Sequence, residues 1–232
     1  MTAPRFFSLD YVERAVLRDG TRVVVRLIRP ADREILRAGF ERLSPASRYA
    51  RFLSPKQALS DDELRYLCDV DHESHLAIGA GLDDTAPNPG APDAVVVPEI
   101  SVGLAIARFI RLPDRPNVAE AAIAVADEAH HLGLGKLLFL RLVAAAAERG
   151  VERFRCEVLG SNAGMAGLLA QISPERDIEV ASGVMSIEIP LPNVTPTQPP
   201  AEPLQSPMYR LFRAIAENAI DWAGVVRNLW RR

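Results

Sequence analysis

Apolar and polar positions alternate with two different periods along the chain, and the change of period marks its elements. Ala15-Val16-Leu17-Arg18 and Arg22-Val23-Val24-Val25-Arg26-Leu27-Ile28 flank Asp19-Gly20. This pattern predicts a β-hairpin, with Asp-Gly as a type I′ turn signal. Pro30 then opens a helix that runs through Leu43, with Ile35, Leu36, Phe40 and Leu43 on its apolar face. Ser44-Pro45 begins a second short helix, Ala46 to Leu53. Ser60-Asp61-Asp62-Glu63 is a capping box that starts a third, ending near Cys68.

From His75 the period shortens to two. His75 to Ala80 reads as a short strand, and residues 82–94 as a Pro-rich loop. Between Glu99 and Leu112, Ile100, Val102, Leu104 and Ile106 alternate with Ser101, Gly103, Ala105 and Ala107, which predicts a long strand with a small-residue face. Asn117 to Val125 is the next strand. A helix over 134–149 follows, with Gly150 in position to end it. Arg153 to Leu159 is a strand, Asn162 to Ala170 a short helix, and Val180 with Val184 to Ile189 closes the sheet. A hairpin with helices, an antiparallel meander, then β-loop-α-β-α-β together make an α+β domain with a mixed, mostly antiparallel central sheet flanked by helices.

Residues 190–207 contain seven prolines and read as an extended linker. Beyond it Met208, Leu211, Phe212, Ile215, Ala219, Trp222, Val226, Leu229 and Trp230 recur at helical spacing, with charges filling the other side. The expected organisation is a domain over 1–190, a Pro-rich linker over 191–207 and a tethered amphipathic helix over 208–232. That helix has its own domain, or a second subunit in a homodimer, to pack on.

Composition narrows the function classes. No apolar run reaches the ~20 residues of a membrane span, and residues 1–20 lack a signal-peptide core, so a cytoplasmic protein is expected. Cys68 and Cys156 are too far apart in sequence for a metal spacing, and a disulfide framework is not expected. The net charge of −3 hides basic ends around an acidic middle. The N-terminal arginines are interspersed with acids and no recognition motif accompanies them, so nucleic acid is not an expected partner. His72 and His75 form a spacing that surface histidine pairs often show without a metal, and none is expected.

The chemistry concentrates in His130-His131-Leu132-Gly133-Leu134-Gly135-Lys136, where the strand pattern gives way to the helical one. Two glycines at a helix start let the backbone pass close to a ligand, and first-turn N–H groups point at whatever binds there. Such an end favours phosphate. A Walker P-loop requires Ser or Thr after the lysine, and Leu137 stands there. The dinucleotide fingerprint requires a third glycine where Leu138 stands. The loop that remains is x-x-x-Gly-x-Gly, a different pyrophosphate cradle; a glycine-rich turn without a ligand is the alternative.

Residues 99–170 resemble the GNAT superfamily of acyl-CoA N-acyltransferases. Val125-Ala126-Asp127-Glu128-Ala129-His130-His131-Leu132-Gly133-Leu134-Gly135-Lys136 is similar to that family's signature, a strand end followed five positions later by Gln/Arg-x-x-Gly-x-Gly/Ala. Val158-Leu159-Gly160-Ser161-Asn162-Ala163-Gly164-Met165 is similar to its next strand and Asn-x-x-Met helix start, in the expected order. The resemblance implies a GNAT-like fold and acetyl-CoA as co-substrate. It implies cofactor binding by backbone of Ile123, Ala124 and Val125, by the loop His130, His131, Leu132, Gly133, Leu134, Gly135 and Lys136, and by Asn162. His130 departs from the usual Gln or Arg, and its imidazole is expected to donate to phosphate instead, which would make binding pH-sensitive if it titrates.

A closer resemblance, to bacterial Pat-type protein lysine acetyltransferases, rests on Ala119-Glu120 at the strand start and on Ser47-Arg48-Tyr49-Ala50-Arg51-Phe52. It implies that Glu120 is the general base; a solvated strand-end charge is the alternative. The oxyanion donor expected is a strand N–H near Val125. The family often places a tyrosine as general acid early in its last helix, but Leu168-Leu169 stand in that region. The expected function is thus acetyl transfer from acetyl-CoA to a primary amine, a protein lysine or a small molecule. The alternative is a catalytically weak acyl-CoA-binding regulatory module acting through its C-terminal helix.

Overall fold

The computed structural model describes residues 5–84, 100–173 and 177–191. All of the architecture below belongs to one compact unit, Phe7–Val194. The loop over 85–94, most of the linker (192–207) and the amphipathic helix over 208–232 lie outside the described residues.

Eight strands form one sheet in the order β1-β2-β3-β4-β5-β6-β8-β7. The hairpin is β1 (Val12–Val16) and β2 (Arg22–Leu27). Its turn differs from the expected type I′. Leu17 O accepts from Gly20 N–H at 3.0 Å, Leu17 N–H donates to Thr21 O at 2.8 Å, and of the turn residues Gly20 has the positive φ, +88°. This is a three-residue loop in which Gly20 takes the left-handed position after a type I turn. Asp19 stays right-handed and instead accepts from Thr21 N–H and hydroxyl at 3.0 and 2.8 Å.

Pro30–Asp32 makes a 3-10 turn into α1 (Arg33–Arg42), followed by α2 (Pro45–Phe52) and α3 (Asp61–Cys68). The capping box forms as read: Ser60 Oγ accepts from Glu63 N–H, and Glu63 accepts from Ser60 N–H. The expected strand from Glu99 is shorter, because only Gly103–Arg111 pairs as β4 with β3 (His75–Leu82). Ile100–Val102 instead crosses the end of β3. Leu82 N–H donates to Val102 O at 3.0 Å, and a Cβ at Gly81 would fall 2.1 Å from Ile100 and 2.4 Å from Val102 O.

Next come β5 (Val118–Val125), α4 (Leu134–Ala147), β6 (Arg153–Leu159), α5 (Ala163–Ile172), β7 (Asp177–Ala181) and β8 (Val184–Pro190). All neighbours are antiparallel except β5 and β6, which pair parallel across the α4 crossover. The sheet is thus mixed and mostly antiparallel, as expected. Helices α1–α3 cover one face. The other face carries Phe109, Phe154 and small residues such as Ala107 and Ala121, and α4 lies on it. The Phe139 ring of α4 sits 6.0 Å from Phe154, which sits 6.0 Å from Phe109. Helix α4 is apolar nearly all round because it is buried nearly all round. The one charge on its middle turns, Arg141, is 1% exposed and forms a two-pronged ion pair with Glu13 of β1 at 2.7 Å. Leu191 is buried and its N–H donates to Glu152 O at 2.7 Å.

Candidate active site

Strands β5 and β6 pair only at Val118–Arg153, Ala119–Phe154 and Glu120–Arg155. Beyond Glu120 the ladder ends, although β5 continues to Val125 and β6 to Leu159. The two strands therefore open into a V whose vertex is Glu120. The β4–β5 register decides which backbone groups face the opening. Ala105 opposes Val125, and Ala126 N–H donates to Leu104 O at 2.8 Å. Antiparallel ladders alternate, so Ala124 turns its N–H and C=O to β4, while Val125 and Ile123 turn theirs towards β6. Of the three residues expected to offer backbone to a ligand, Ile123 and Val125 are placed to do so. The backbone of Ala124 is not, and its side chain packs instead against the cluster of Phe40, Leu43, Leu59 and Leu64.

The glycine loop stands at the mouth of the V. Gly133 is the N-cap of α4 with φ +91°, and His131 also has positive φ, +62°. The helical ladder begins with Leu137 N–H on Gly133 O at 3.0 Å, so the N–H groups of the turn before it point out along the axis. Gly135 lies over β5: a Cβ there would meet Val125 Cγ2 at 3.5 Å and Ile123 Cδ1 at 3.9 Å. Arg18, from the hairpin turn, braces the loop by donating its N–H to Leu132 O and its guanidinium to His131 O at 3.3 Å. It also brings a second cation beside Lys136, whose ammonium is held below its ordinary pKa by burial first and the Arg18 charge second. Arg18 gave no signal in the sequence, because its place depends on the hairpin meeting a loop 113 residues away.

His130 is exposed, and one of its ring nitrogens is engaged within the loop. Its Nε2 lies 3.0 Å from Val125 O, and a carbonyl only accepts, so the ring donates there and ties the loop to the end of β5. Asp127 and Glu128 tie the same loop to the other face. Asp127 accepts from Ser44 N–H at 2.8 Å and from the Ser44 and Ser47 hydroxyls at 2.9 and 2.8 Å, at the start of α2. Partial burial opposes its charge, but these donors outweigh that and its pKa sits below the ordinary value. Arg42 donates to Glu128 at 3.1 Å. Asn162 caps α5, accepting from Met165 N–H at 3.0 Å, which leaves its amide nitrogen as the group available to a ligand.

Glu120 is exposed and, among the described residues, carries no hydrogen bond or ion pair. It lies on the α1–α3 face with Ala122 and Ala124, since cross-strand partners share a face and Glu120 opposes Ile110. A cleft opens on that face, with Leu36, Phe40, Ile106 and Ala124 in its wall. Two arginines that sequence reasoning passed over, Arg51 and Arg108, reach into the same cleft. The Arg51 guanidinium is pulled below its ordinary pKa by burial, and the charge of Glu120 opposes that shift. Arg108 interrupts the inward stripe Leu104-Ile106-Arg108-Ile110 of β4, a visible irregularity. His75, read as an idle surface histidine, is half-buried and accepts from Arg108 Nη1 at 3.2 Å. Helix α5 contains no tyrosine. Both cysteines are buried: burial pushes the Cys68 thiol up to about 11 and the Cys156 thiol up to about 12.

Comparison with known proteins gives the chain a family. Residues 48–172, more than half of the chain, match the family model described as the acetyltransferase (GNAT) family. Acetyltransferase Pat of Mycolicibacterium smegmatis is 26% identical over 208 residues, which cover 87% of this chain and 56% of that protein. The chain thus spans a little over half the length of that relative. Acetyltransferase PA5475 of Pseudomonas aeruginosa is 28% identical over 171 residues, 71% of this chain and 84% of that protein. Among solved structures, the GNAT domain of S. lividans PAT superposes with a TM-score of 0.64 at 26% identity, covering 78% of this chain and 97% of that one.

Proposed function

The chain belongs to the acetyltransferase (GNAT) family, and we propose that it transfers the acetyl group of acetyl-CoA to a primary amine by direct attack. The observation that carries this reading is the V between β5 and β6, with the α4 N-terminus at its mouth and an unpaired carboxylate at its vertex. The parts fit the co-substrate. Backbone N–H groups of the loop His131–Lys136, with the Arg18 and Lys136 cations beside them, suit a pyrophosphate. The outward-turned groups of Ile123 and the N–H of Val125 suit an amide-bearing arm, and the Asn162 amide stands at the opposite strand's end.

Acetyl-CoA supplies the acyl group as a thioester. Glu120 accepts a proton from the acceptor ammonium, directly or through water. An outward-turned backbone N–H of β5 donates to the carbonyl oxygen as charge grows on it. The acceptor nitrogen bonds the acetyl carbon, the carbon–sulfur bond breaks with its electrons on sulfur, and the second ammonium proton ends on the departing thiol. With no tyrosine in α5, water delivers that proton. The likeness to Pat-type enzymes makes a protein lysine one acceptor to test, and small amines the other.

The test is thiol release from acetyl-CoA with a panel of amines and lysine-bearing proteins, for the wild type and Glu120→Gln. Activity that falls about 10²–10⁴-fold in the variant, with acetyl-CoA binding retained, supports Glu120 as the base. Equal activity in both moves the base elsewhere. Binding without turnover in either favours the regulatory module, a reading motivated by the absent tyrosine.

A further inference from the structure

The cleft under α1–α3 carries positive charge that the fold does not neutralise. Arg108 is 4% exposed, yet its Nη2 donates to Leu67 O at 3.1 Å and its Nη1 to His75 Nε2 at 3.2 Å, both neutral acceptors. Burial first and the Arg108 charge second push the His75 imidazole down to about 4, so it is neutral near pH 7 and offers no counter-charge. Arg51, half-buried, stacks over the Phe52 ring at 4.9 Å. Among the described residues neither arginine has a carboxylate at ion-pair distance. The acid on the cleft wall, Asp32, is already taken: Arg26 holds both its oxygens, at 2.7 and 2.8 Å, and Arg29 N–H adds a third bond.

A buried and a half-buried guanidinium facing one cleft without a counter-ion among the described residues are costly, because each loses hydration and each repels the other. Burial first and the Arg51 charge second bring Arg108 down to about 9. An arrangement of this kind is relieved by an anion that arrives with a ligand. The register puts that anion near the reacting end. Arg108 opposes Ala122 and Ile110 opposes Glu120, so Arg108 and Glu120 are diagonal neighbours on one face, about 7–8 Å apart along the backbone. A small molecule can span that distance.

We propose that this cleft is the acceptor site, and that Arg51 and Arg108 hold the carboxylate of a small amino acid with an apolar side chain while its amine faces Glu120. The proposal rests on the N-acetyltransferase reading above, and it selects a free amino acid over a protein lysine. A lysine within a chain brings peptide amides where a free amino acid brings a carboxylate. The apolar wall of Leu36, Phe40 and Ile106 takes the side chain.

The experiment uses the full chain with leucine, methionine and phenylalanine, their carboxamides, and a lysine peptide blocked at both ends. Thiol release from acetyl-CoA reports turnover, and calorimetry reports binding, for the wild type, Arg108→Gln and Arg51→Gln. In the wild type the free acids should exceed their amides in kcat/KM by about tenfold to a hundredfold. In either variant that ratio should fall towards one, while acetyl-CoA affinity persists and shows that the variants are folded. Arg51→Gln guards against misfolding of Arg108→Gln, since Arg51 makes no hydrogen bond to the described residues. If the wild type uses the amides or the lysine peptide as well as the acids, the carboxylate site is refuted and acetyl transfer stands. Acid-selective, arginine-dependent binding with no thiol release keeps the anion site and refutes the transferase reading. The absence of both selective turnover and selective binding overturns the proposal.

Discussion

Two glycines of one loop should respond in opposite directions to the same substitution. Gly133 holds φ +91° and ψ −4° as the N-cap of α4, and a Cβ added there meets nothing nearer than Arg18 Nε at 3.8 Å. Space is therefore not the issue; the backbone is. An L-residue forced into the left-handed region costs about 1–2 kcal/mol, so Gly133→Ala should lower stability by that amount. Gly135 sits in the first turn of α4 with helical backbone, and its added Cβ makes ordinary contacts with Val125 and Ile123 at 3.5 and 3.9 Å. Replacing a helical glycine by alanine gains about 0.5–1 kcal/mol, so Gly135→Ala should stabilise the apo-protein. For a domain of this size each kcal/mol shifts Tm by about 2–4 °C, which makes the two variants separable by a thermal melt. Urea midpoints at unchanged m-value provide the second assay. Equal losses at both positions, or a Gly133→Ala protein as stable as wild type, would refute the reasoning. A second arm reports function: Gly135→Ala should bind acetyl-CoA more weakly despite its greater stability, because the methyl then occupies the approach to the helix start.

Asp127→Asn should lower stability by about 1 kcal/mol by weakening the acceptor for three donors at the start of α2. Since the folded pKa of Asp127 lies below its reference value of 3.8, the wild-type advantage should be full above that value. It should disappear as the pH falls through the folded pKa; urea midpoints of the two proteins between pH 6 and 2.5 would show this, and a constant difference would contradict it. Cys68 and Cys156, buried and with thiols near 11 and 12, should be silent to Ellman's reagent in native protein and react on unfolding in guanidinium. Rapid native labelling of either would show that the core over β3 or around β6 opens readily.

Local signals in the sequence located most elements, and the failures have physical causes. The Ser60–Glu63 capping box and the amphipathic stripe of α1 are short-range patterns, and both form as read. The Asp19-Gly20 signal identified the hairpin but not its loop length, because the loop is set by whether Leu17 pairs with Thr21, a cross-strand fact. The V at Glu120 is invisible in either strand alone, since it is a property of where a parallel ladder stops. The family resemblance, not periodicity, pointed to Ile123 and Val125. A loop sequence likewise carries no information about Val125 O lying 3.0 Å from the His130 ring. Arg108 could have been noticed as a charge in an apolar stripe, but its lack of a carboxylate partner depends on Asp32 being engaged by Arg26.

The alternation of β5 explains how one strand can serve two ligands without mixing them. Residues 121, 123 and 125 turn their backbone to the V and their side chains towards α4, whereas 120, 122 and 124 bond to β4 and share the α1–α3 face, where Ala124 lines the cleft. The strand is thereby a wall with the co-substrate's arm along its open edge and the acceptor on its face. Glu120 belongs to the second set, and it stands at the vertex of the V, where the β6 ladder ends. Small side chains at Ala122 and Ala124 keep the wall thin between Glu120 and the thioester end of the V. Replacing Ala122 by Leu should therefore block the acceptor while leaving acetyl-CoA affinity unchanged, raising KM for the amine alone. A parallel loss of acetyl-CoA binding would show that the two ligands share one face, and the partition would be wrong.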